Sequence, residues 1–437
     1  MIRSSIKRLA TEALKSALEE RDASRVCVYT APWVMGAEGP IREGAVVLDH
    51  LGRVIAVGPF SDLRANFSWA RRAELDGILM PGFINAHARL EVGQSERLPE
   101  GLGLTRKLRA LREMRRADDR LDPDSREAKI RAAVRASVAS GNAAVGDVTD
   151  SLRAVPSMGR EGLYGVVFHE ISEFSPRKAA KALAAAAVER ARIVPWPEGV
   201  RYRLAPHSLY STAESTLREL FSRAVERGSV TAIRLAETDA EWDLLNEGGS
   251  TTQALVEAAA AWWDDFSPPE KDPLTYVEEL GGLSEQVMLV HMNQATREMV
   301  RRVGKANAPL VLCPRSALLD TGSLPPLPSF LEEGCRIALG TDSPATSPEQ
   351  SVLREAAELH AAFPEVPAIT LFSAATLGGA DALGLHSMGS LEPGKAPGLL
   401  HAALGSTDTD DPAGWLLRAG DPDLAWISRP APPLHAA

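Results

Sequence analysis

The sequence has few cysteines, no net positive charge and no long apolar run, and each of these absences excludes a class of protein. Its three cysteines, Cys27, Cys313 and Cys335, are too few and too scattered for a disulfide framework, so we expect reduced thiols in a cytoplasmic protein. The formal net charge of −10 argues against nucleic acid or an anionic membrane as a partner, because both need a basic surface. No run of about twenty apolar residues occurs, which predicts no transmembrane span.

Residues 1–25 predict an amphipathic N-terminal helix, with Ile6, Leu9, Leu14 and Leu18 on one face and basic residues elsewhere. The segment lacks the continuous apolar core and the small-residue cleavage site of a signal peptide. We expect it to pack against the body of the protein or against a second subunit, so that a homodimer is one expected assembly.

The remaining chain divides into two regions by its pattern. Residues 26–76 hold short β-branched runs separated by Gly, Asp and Pro, which predicts a small antiparallel sheet. Residues 77–387 alternate alanine-rich helical runs, such as 128–141, with brief apolar strands, such as 231–235 and 287–291. This alternation predicts parallel βαβ units, and roughly eight strands indicate an α/β fold with a TIM-type (β/α)8 barrel.

Polar side chains follow several of these strands, where a barrel of this type carries its reacting groups. Acids and imidazoles can transfer protons, and fixed cations can stabilise developing negative charge. Each residue also has an ordinary alternative: a hydrogen-bonded core histidine, a first-turn helix acid for Glu237, or a capping residue for Asp342. The candidates, in chain order, are His87, Arg89, His207, Arg234, Glu237, His291 and Asp342.

The segments around these residues resemble motifs of the amidohydrolase superfamily, in the branch of aminohydrolases and chlorohydrolases that deaminate purines, nucleosides and related heterocycles. Met80–Leu90 is similar to the first-strand motif, in which a His-x-His pair binds a divalent ion, and Arg89 stands at the second histidine. Ile233–Thr238 is similar to the His-Leu-Ala-Glu motif, with Arg234 at the ligand histidine. Further matches, in the order of the family, are Ala205–Tyr210, Leu289–Met292, Cys313–Ser316 and Leu339–Ser343.

The resemblance implies a role for each retained residue. Glu237 would shuttle protons, His291 would orient or polarise the reacting centre, and Asp342 would act as a base as well as a metal ligand. His207 would face the substrate. The C-terminal region, 388–437, would return to the N-terminal sheet and complete a small β-sandwich domain.

Two of the four implied ligand positions carry arginine, whose guanidinium stays protonated and has no lone pair for an ion. This predicts a degenerate metal site without a cofactor, in which His87 and Asp342 are vestigial ligand positions. Zinc or iron would be expected only if this interpretation is wrong. We expect Arg89, Arg234 or both to pair with Asp342 and to occupy the volume of the ion.

Three hypotheses for the function remain. The first is a hydrolase that acts on a non-peptide C–N bond of a small, heterocyclic substrate without bound metal. The second is an inactive pseudoenzyme that binds a small ligand or partners an active relative, and the third is a structural oligomer. Retention of the acid–base residues argues against the third, and we favour the first narrowly. Its catalytic residues would be Glu237, His291 and Asp342, and its substrate-binding residues His207, Arg89, Arg234 and His87.

Overall fold

A computed structural model of the chain describes residues 25–248, 250–260, 262–405, 407–420 and 422–431. The N-terminal helix predicted for residues 1–25 therefore lies outside the described residues, apart from Arg25. No helix in the described part of the chain is long and apolar enough to cross a membrane.

The strands belong to two regions, a mixed sheet near the chain ends and a parallel region between them. In chain order they are β1 (Val26–Gly36), β2 (Gly39–Asp49), β3 (Val54–Pro59), β4 (Arg71–Glu74), β5 (Ile78–Pro81), β6 (Phe83–Ala88), β7 (Asn142–Thr149), β8 (Tyr164–Ile171), β9 (Val200–Pro206), β10 (Thr231–Leu235), β11 (Val287–His291), β12 (Pro309–Leu312), β13 (Arg336–Leu339), β14 (Leu399–Ala402) and β15 (Leu424–Ser428).

Helices lie between successive strands of the parallel region, as the alternating pattern predicts. In chain order the helices are α1 (Phe60–Leu63), α2 (Leu104–Asp118), α3 (Pro123–Ala139), α4 (Val155–Glu161), α5 (Ala179–Ala191), α6 (Glu214–Glu226), α7 (Asp239–Asn246), α8 (Ser250–Ala259), α9 (Pro273–Glu279), α10 (Arg297–Ala306), α11 (Pro314–Thr321), α12 (Leu327–Glu332), α13 (Val352–Ala362), α14 (Ala368–Ser373), α15 (Gly379–Ala382) and α16 (Pro412–Ala419).

Strands β6 to β13 form the scaffold of the site. They make two four-stranded sheets, in the orders β6-β7-β8-β9 and β10-β11-β12-β13, and their registered pairs are parallel. Single parallel bridges join Ala88 to Asp342 and Ser208 to Arg234, where one sheet meets the other. This TIM-barrel-like arrangement confirms the predicted α/β fold with parallel strands. The carboxyl ends of the strands lie together, so polar residues that follow different strands meet there.

These strands are apolar at successive positions because both of their faces are covered. Every residue of β6, β7, β10 and β11 is buried. Helix α10 is amphipathic and turns Met299, Val300 and Val303 inward. At the end of β13, a Cβ on Gly340 would lie 2.7 Å from the Cβ of His87. Gly340 therefore lets the end of β13 approach β6 closely, because any side chain there would collide with His87. This close approach places Asp342, two residues further on, beside the end of β6.

Both chain ends contribute strands to one seven-stranded sheet, in the order β15-β14-β5-β1-β2-β3, with β4 paired to β1. Strand β14 runs antiparallel to β5 and brings the C-terminal region back beside the start of the parallel strands. The face-to-face packing of two sheets and the domain bounds 26–76 with 388–437, and 77–387, remain predictions.

Candidate active site

The seven predicted residues lie at the carboxyl ends of the parallel strands. His87, Arg234 and His291 belong to β6, β10 and β11, and the other four follow a strand within three residues. His87 and His291 lie behind the cavity wall and are 1% and 0% exposed. One cavity of about 210 Å³ is lined by the remaining five, Arg89, His207, Arg234, Glu237 and Asp342.

The backbone is left-handed at three positions of this site. The φ angles are +50° at Ala236, +79° at His291 and +56° at Asp342. This conformation costs a residue with a side chain about 1–3 kcal/mol, and it persists only where the surrounding contacts impose it. The strand ends therefore hold His291, Asp342 and, through Ala236, the neighbouring Glu237 in set orientations.

Glu170, at the end of β8, joins the two arginines. Its Oε1 accepts a hydrogen bond from Arg234 Nη1 at 2.8 Å, and its Oε2 pairs with Arg89 Nη2. Burial alone would raise the pKa of Glu170, but the two guanidiniums outweigh it and hold that pKa below its usual value. We expected one or both arginines to pair with Asp342, and Arg234 Nη2 lies 4.0 Å from Asp342 Oδ1, at the outer limit of an ion pair. Glu170 is the nearer partner because it lies between them. The sequence motifs did not identify Glu170 as a site residue. Its position near the carboxyl end of a strand was a signal that could have identified it.

Asp342 has a different cationic partner, Lys107 on α2. Lys107 Nζ lies 3.1 Å from Asp342 Oδ2 and 2.6 Å from Asp320 Oδ2. Ser316 Oγ donates to the same Oδ2 of Asp342 at 2.8 Å. Burial would raise the pKa of Asp342, but Lys107 and then Arg234 hold it well below its usual value. Asp342 is therefore an ionised carboxylate, and no sequence motif pointed to Lys107.

Glu237 is a buried carboxyl group in contact with two other side chains. The hydroxyl of Tyr210 donates to its Oε2 at 2.5 Å, and His291 Nε2 lies 3.2 Å from its Oε1. Burial raises the pKa of Glu237 against the opposing charges of Lys107 and Arg234. Burial also lowers the pKa of His291, to about 3. A neutral imidazole thus faces a carboxyl group that can take up a proton more readily than an exposed one, which suits proton transfer.

The other two histidines are also neutral, since burial and then Arg234 lower the pKa of each well below its usual value. Arg234 Nη2 lies 3.4 Å from His87 Nε2, so a guanidinium N–H faces the lone pair that a metal ligand would use. His207 Nδ1 is 2.7 Å from Ser211 Oγ and 3.0 Å from Ser208 Oγ. These hydroxyls fix the ring of His207 at the cavity wall.

Asp147, in β7 beside this cluster, makes the stability of the protein depend on pH. Its Oδ1 accepts the Leu90 N–H at 2.9 Å, and its Oδ2 has no hydrogen-bond partner within the described residues. Burial raises the pKa of Asp147 to about 8. Folding therefore makes Asp147 take up a proton between the ordinary carboxyl pKa of about 3.9 and that value. The contribution of Asp147 to stability is thus most favourable in acid and becomes less favourable as the pH rises through this window.

Asp147→Asn keeps the accepting oxygen but cannot ionise. As the pH rises from about 5 to about 8, the unfolding free energy of the variant is expected to fall less than that of the parent protein. One titrating carboxyl group changes the unfolding free energy by up to about 1.4 kcal/mol per pH unit in this range. Denaturant unfolding at several pH values measures the difference. Parallel pH profiles for the two proteins would contradict the expectation.

The site combines a TIM-barrel-like fold with buried carboxyl, imidazole and guanidinium groups at the strand ends, and such groups can transfer protons and stabilise developing charge. The chain belongs to the amidohydrolase family, whose family model matches residues 78–422. It is similar to the aminodeoxyfutalosine deaminase of Deinococcus radiodurans, at 28% identity over 367 residues, covering 80% of this chain and 82% of that protein. The predicted enzyme class, a hydrolase acting on non-peptide carbon–nitrogen bonds, is thereby confirmed.

Two solved structures share the fold at about 20% identity. The aminofutalosine deaminase of Helicobacter pylori, in complex with methylthio-coformycin, has a TM-score of 0.76 at 20% identity and covers 90% of this chain and 95% of its own. An adenosine deaminase from Xanthomonas campestris with bound zinc has a TM-score of 0.71 at 20% identity and covers 92% of each chain.

The zinc in the second structure corrects the expectation that this site takes no cofactor, since a metal ion belongs to the chemistry of the family. The expectation rested on the number of protein ligands at the site. That number does not decide whether a metal ion binds, because water or substrate also occupies coordination positions on zinc. His87 and Asp342 are donors at the family positions, whereas Arg89 and Arg234 have no lone pair to offer. Across the described ranges, no three His, Cys, Asp or Glu residues are grouped to hold an ion. These residues do not complete a zinc site by themselves.

Proposed function

We propose that this protein hydrolyses the exocyclic C–N bond of a small aminated heterocycle and releases ammonia. The observation that carries the proposal is Glu237, a buried carboxyl group between Tyr210 and His291 at the wall of a cavity that Asp342 and His207 also line. The deaminase relative from Deinococcus radiodurans supports an amino group as the leaving group. The methylthio-coformycin complex of the Helicobacter pylori enzyme supports a heterocyclic ligand.

Glu237 is the proton carrier in this proposal. It accepts a proton from the attacking water as the water oxygen bonds to the ring carbon, and it returns a proton to the amino nitrogen as the C–N bond breaks. Ammonia leaves, and the proton of the added hydroxyl group passes to the neighbouring ring nitrogen, so that a carbonyl group remains on the ring. The raised pKa of Glu237 supports the first transfer, because a more basic carboxylate accepts a proton more readily.

The groups around Glu237 hold the reactants. Asp342, kept ionised by Lys107, accepts a hydrogen bond from the attacking water. Arg89 and Arg234 supply positive potential where negative charge develops on the attacked ring. His207, fixed through its Nδ1, presents its other ring nitrogen to a heteroatom of the substrate.

The test is an assay of the full-length protein, supplied with zinc, against adenosine, 5′-methylthioadenosine and aminodeoxyfutalosine. Ammonia release and the absorbance change of the purine are followed together, and the metal content of each preparation is measured by elemental analysis. We expect one ammonia per substrate consumed for at least one compound. A rise in melting temperature with these compounds, without ammonia release, would instead identify a ligand-binding protein that has lost the reaction.

A further inference from the structure

A seam runs between the two four-stranded sheets, where β9 is the edge of one sheet and β10 the edge of the other. The bridge from Ser208 to Arg234 joins the sheets beside the active site. Nearer the amino ends of the strands, Thr231 Oγ1 donates to the carbonyl of Leu204 at 3.0 Å. A cavity of about 250 Å³, which we call the seam cavity, lies at this end and is lined by residues of β9, α6, β10 and the turn between α6 and β10.

The seam cavity is separate from the active site. Arg203 lines the seam cavity and His207 lines the active site, and the distance between these two positions along the chain is roughly 13 Å at the rise of an extended strand. Within the described part of the chain, the two cavities have no lining residue in common. A ligand in the seam cavity would therefore bind without entering the active site.

The lining of the seam cavity is rich in arginine. Arg203 on β9, Arg223 on α6 and Arg227 directly after α6 all line it. Among the described residues, no aspartate or glutamate lines this cavity, and Leu220 and Val230 add apolar surface. The seam cavity thus combines positive charge with an apolar wall.

The acids of the neighbouring helix do not neutralise these arginines. Glu219 pairs with Arg223 one turn away on α6, and Glu226 accepts a hydrogen bond from a serine hydroxyl of the same helix. Neither Arg203 nor Arg227 forms an ion pair with a carboxylate of the described residues. Three arginines and one paired acid leave an excess of two positive charges at the cavity, and such a local excess attracts an anion.

Arg203 is the arginine of this cavity that most lacks an acceptor. Its Nη1 donates to the carbonyl of Tyr202 at 2.8 Å, whereas its Nε is buried and has no hydrogen-bond partner within the described residues. Burial and then the charges of Arg201 and Arg227 lower the pKa of Arg203. A carboxylate partner would raise that pKa, so this guanidinium has no opposite charge beside it. A buried donor without an acceptor is unfavourable, and an oxyanion in the cavity would remove that penalty.

We propose that the seam cavity binds a phosphate dianion, either free or as the phosphoryl group of a small organic phosphate. Arg203 and Arg227 hold its oxygens through their planar N–H forks. A phosphoryl group carries a charge of about −1.5 to −2 at neutral pH, which matches the excess of two, whereas a carboxylate supplies a single charge. Tyr202 and Leu220 cover an organic part attached to the phosphoryl group. This binding is independent of the reaction proposed for the active site.

The experiment measures dissociation constants by calorimetry for three probes: inorganic phosphate, phenyl phosphate and benzoate, the last as a monoanion with the same ring. The wild-type protein is compared with Arg203→Gln and Arg227→Gln. Arg227 is exposed, so its variant tests the site even if Arg203→Gln fails to fold. The matched control is Arg218→Gln, which removes an exposed charge of α6 outside the cavity.

We expect the wild-type protein to bind phenyl phosphate about tenfold more tightly than benzoate, as one additional charge-assisted hydrogen-bonded pair allows. Arg203→Gln and Arg227→Gln should each lose about tenfold for phenyl phosphate, whereas Arg218→Gln should stay within about twofold of the wild-type value. Tighter binding of phenyl phosphate than of inorganic phosphate would identify an organic phosphate as the ligand, and equal binding would identify the free ion.

Three results would overturn the proposal. One is the absence of phosphate binding to the wild-type protein, and another is benzoate binding as tight as that of phenyl phosphate. The third is an affinity for phenyl phosphate that Arg203→Gln and Arg227→Gln leave unchanged, or that Arg218→Gln lowers equally, because the ligand would then bind elsewhere or respond only to net charge.

Discussion

Glu237→Gln is expected to lower kcat for deamination by about 10²–10⁴-fold, the usual contribution of a general acid–base residue. Glutamine can still accept the hydrogen bond that Tyr210 donates to the carboxyl group. It cannot carry a proton from the attacking water to the leaving nitrogen, so the chemical step should fail while the fold and the cavity remain. Steady-state kinetics on the substrate identified in the assay measure the loss.

The matched control is Glu247→Gln, at the exposed C-terminal end of α7 and outside the cavity. Its kcat should stay within about twofold of the wild-type value, since surface substitutions far from a site have small effects. Binding of methylthio-coformycin, measured as a rise in melting temperature, should be retained by both variants. If Glu237→Gln kept kcat within about tenfold of the wild-type value, another group would have to carry the proton.

Glu170→Gln is expected to destabilise the fold by about 3–5 kcal/mol, because it leaves the two buried guanidiniums of Arg89 and Arg234 without their shared carboxylate. The side chains of Glu170 and Arg234 are 4% and 6% exposed, so water cannot replace the lost charge. Because the pKa of Glu170 is lowered on folding, its contribution is present above the ordinary carboxyl pKa and is lost as the pH falls through the folded value. The difference in unfolding free energy between Glu170→Gln and the wild-type protein should therefore become smaller in acid.

The same arrangement occurs near the surface and provides the control. Glu161 Oε1 contacts Arg131 Nε at 2.5 Å and Arg135 Nε at 3.0 Å, and the side chains of these arginines are 40% and 59% exposed. Glu161→Gln should cost only about 0–1 kcal/mol, as is usual for solvated ion pairs. Urea unfolding followed by tryptophan fluorescence measures both variants. Equal losses would show that burial does not set the strength of the Arg89–Glu170–Arg234 cluster.

The positions of the candidate site residues could be predicted because they depend on local pattern. The predicted strands 231–235 and 287–291 coincide with β10 and β11, whose residues are all buried. Once these strands are parallel, the residues at their carboxyl ends must meet, whatever the helices between them contain. The lining of one cavity by Arg89, His207 and Asp342 follows from that rule.

The partners of these residues could not be predicted in the same way. Lys107 is 235 residues from Asp342 in the chain, and Glu170 is 81 residues from Arg89. Neither partner stands in a motif, and a lysine on an amphipathic helix or a glutamate after a strand is usually solvated. Which cation pairs with which acid depends on how α2 and β8 approach the cavity, and that approach is decided by packing along their whole lengths.

The sequence by itself determined the family, the parallel strands and the set of side chains at their ends, because strand period, burial and motif order are all local properties of the chain. Only the tertiary structure decided that Glu170 binds both arginines, that Lys107 holds Asp342 and that Glu237 lies buried between Tyr210 and His291. These outcomes depend on distances of a few ångströms between segments remote in the chain, and at such distances burial and Coulomb energy change steeply. The protonation states of the site, and hence the roles proposed for its residues, follow from that geometry.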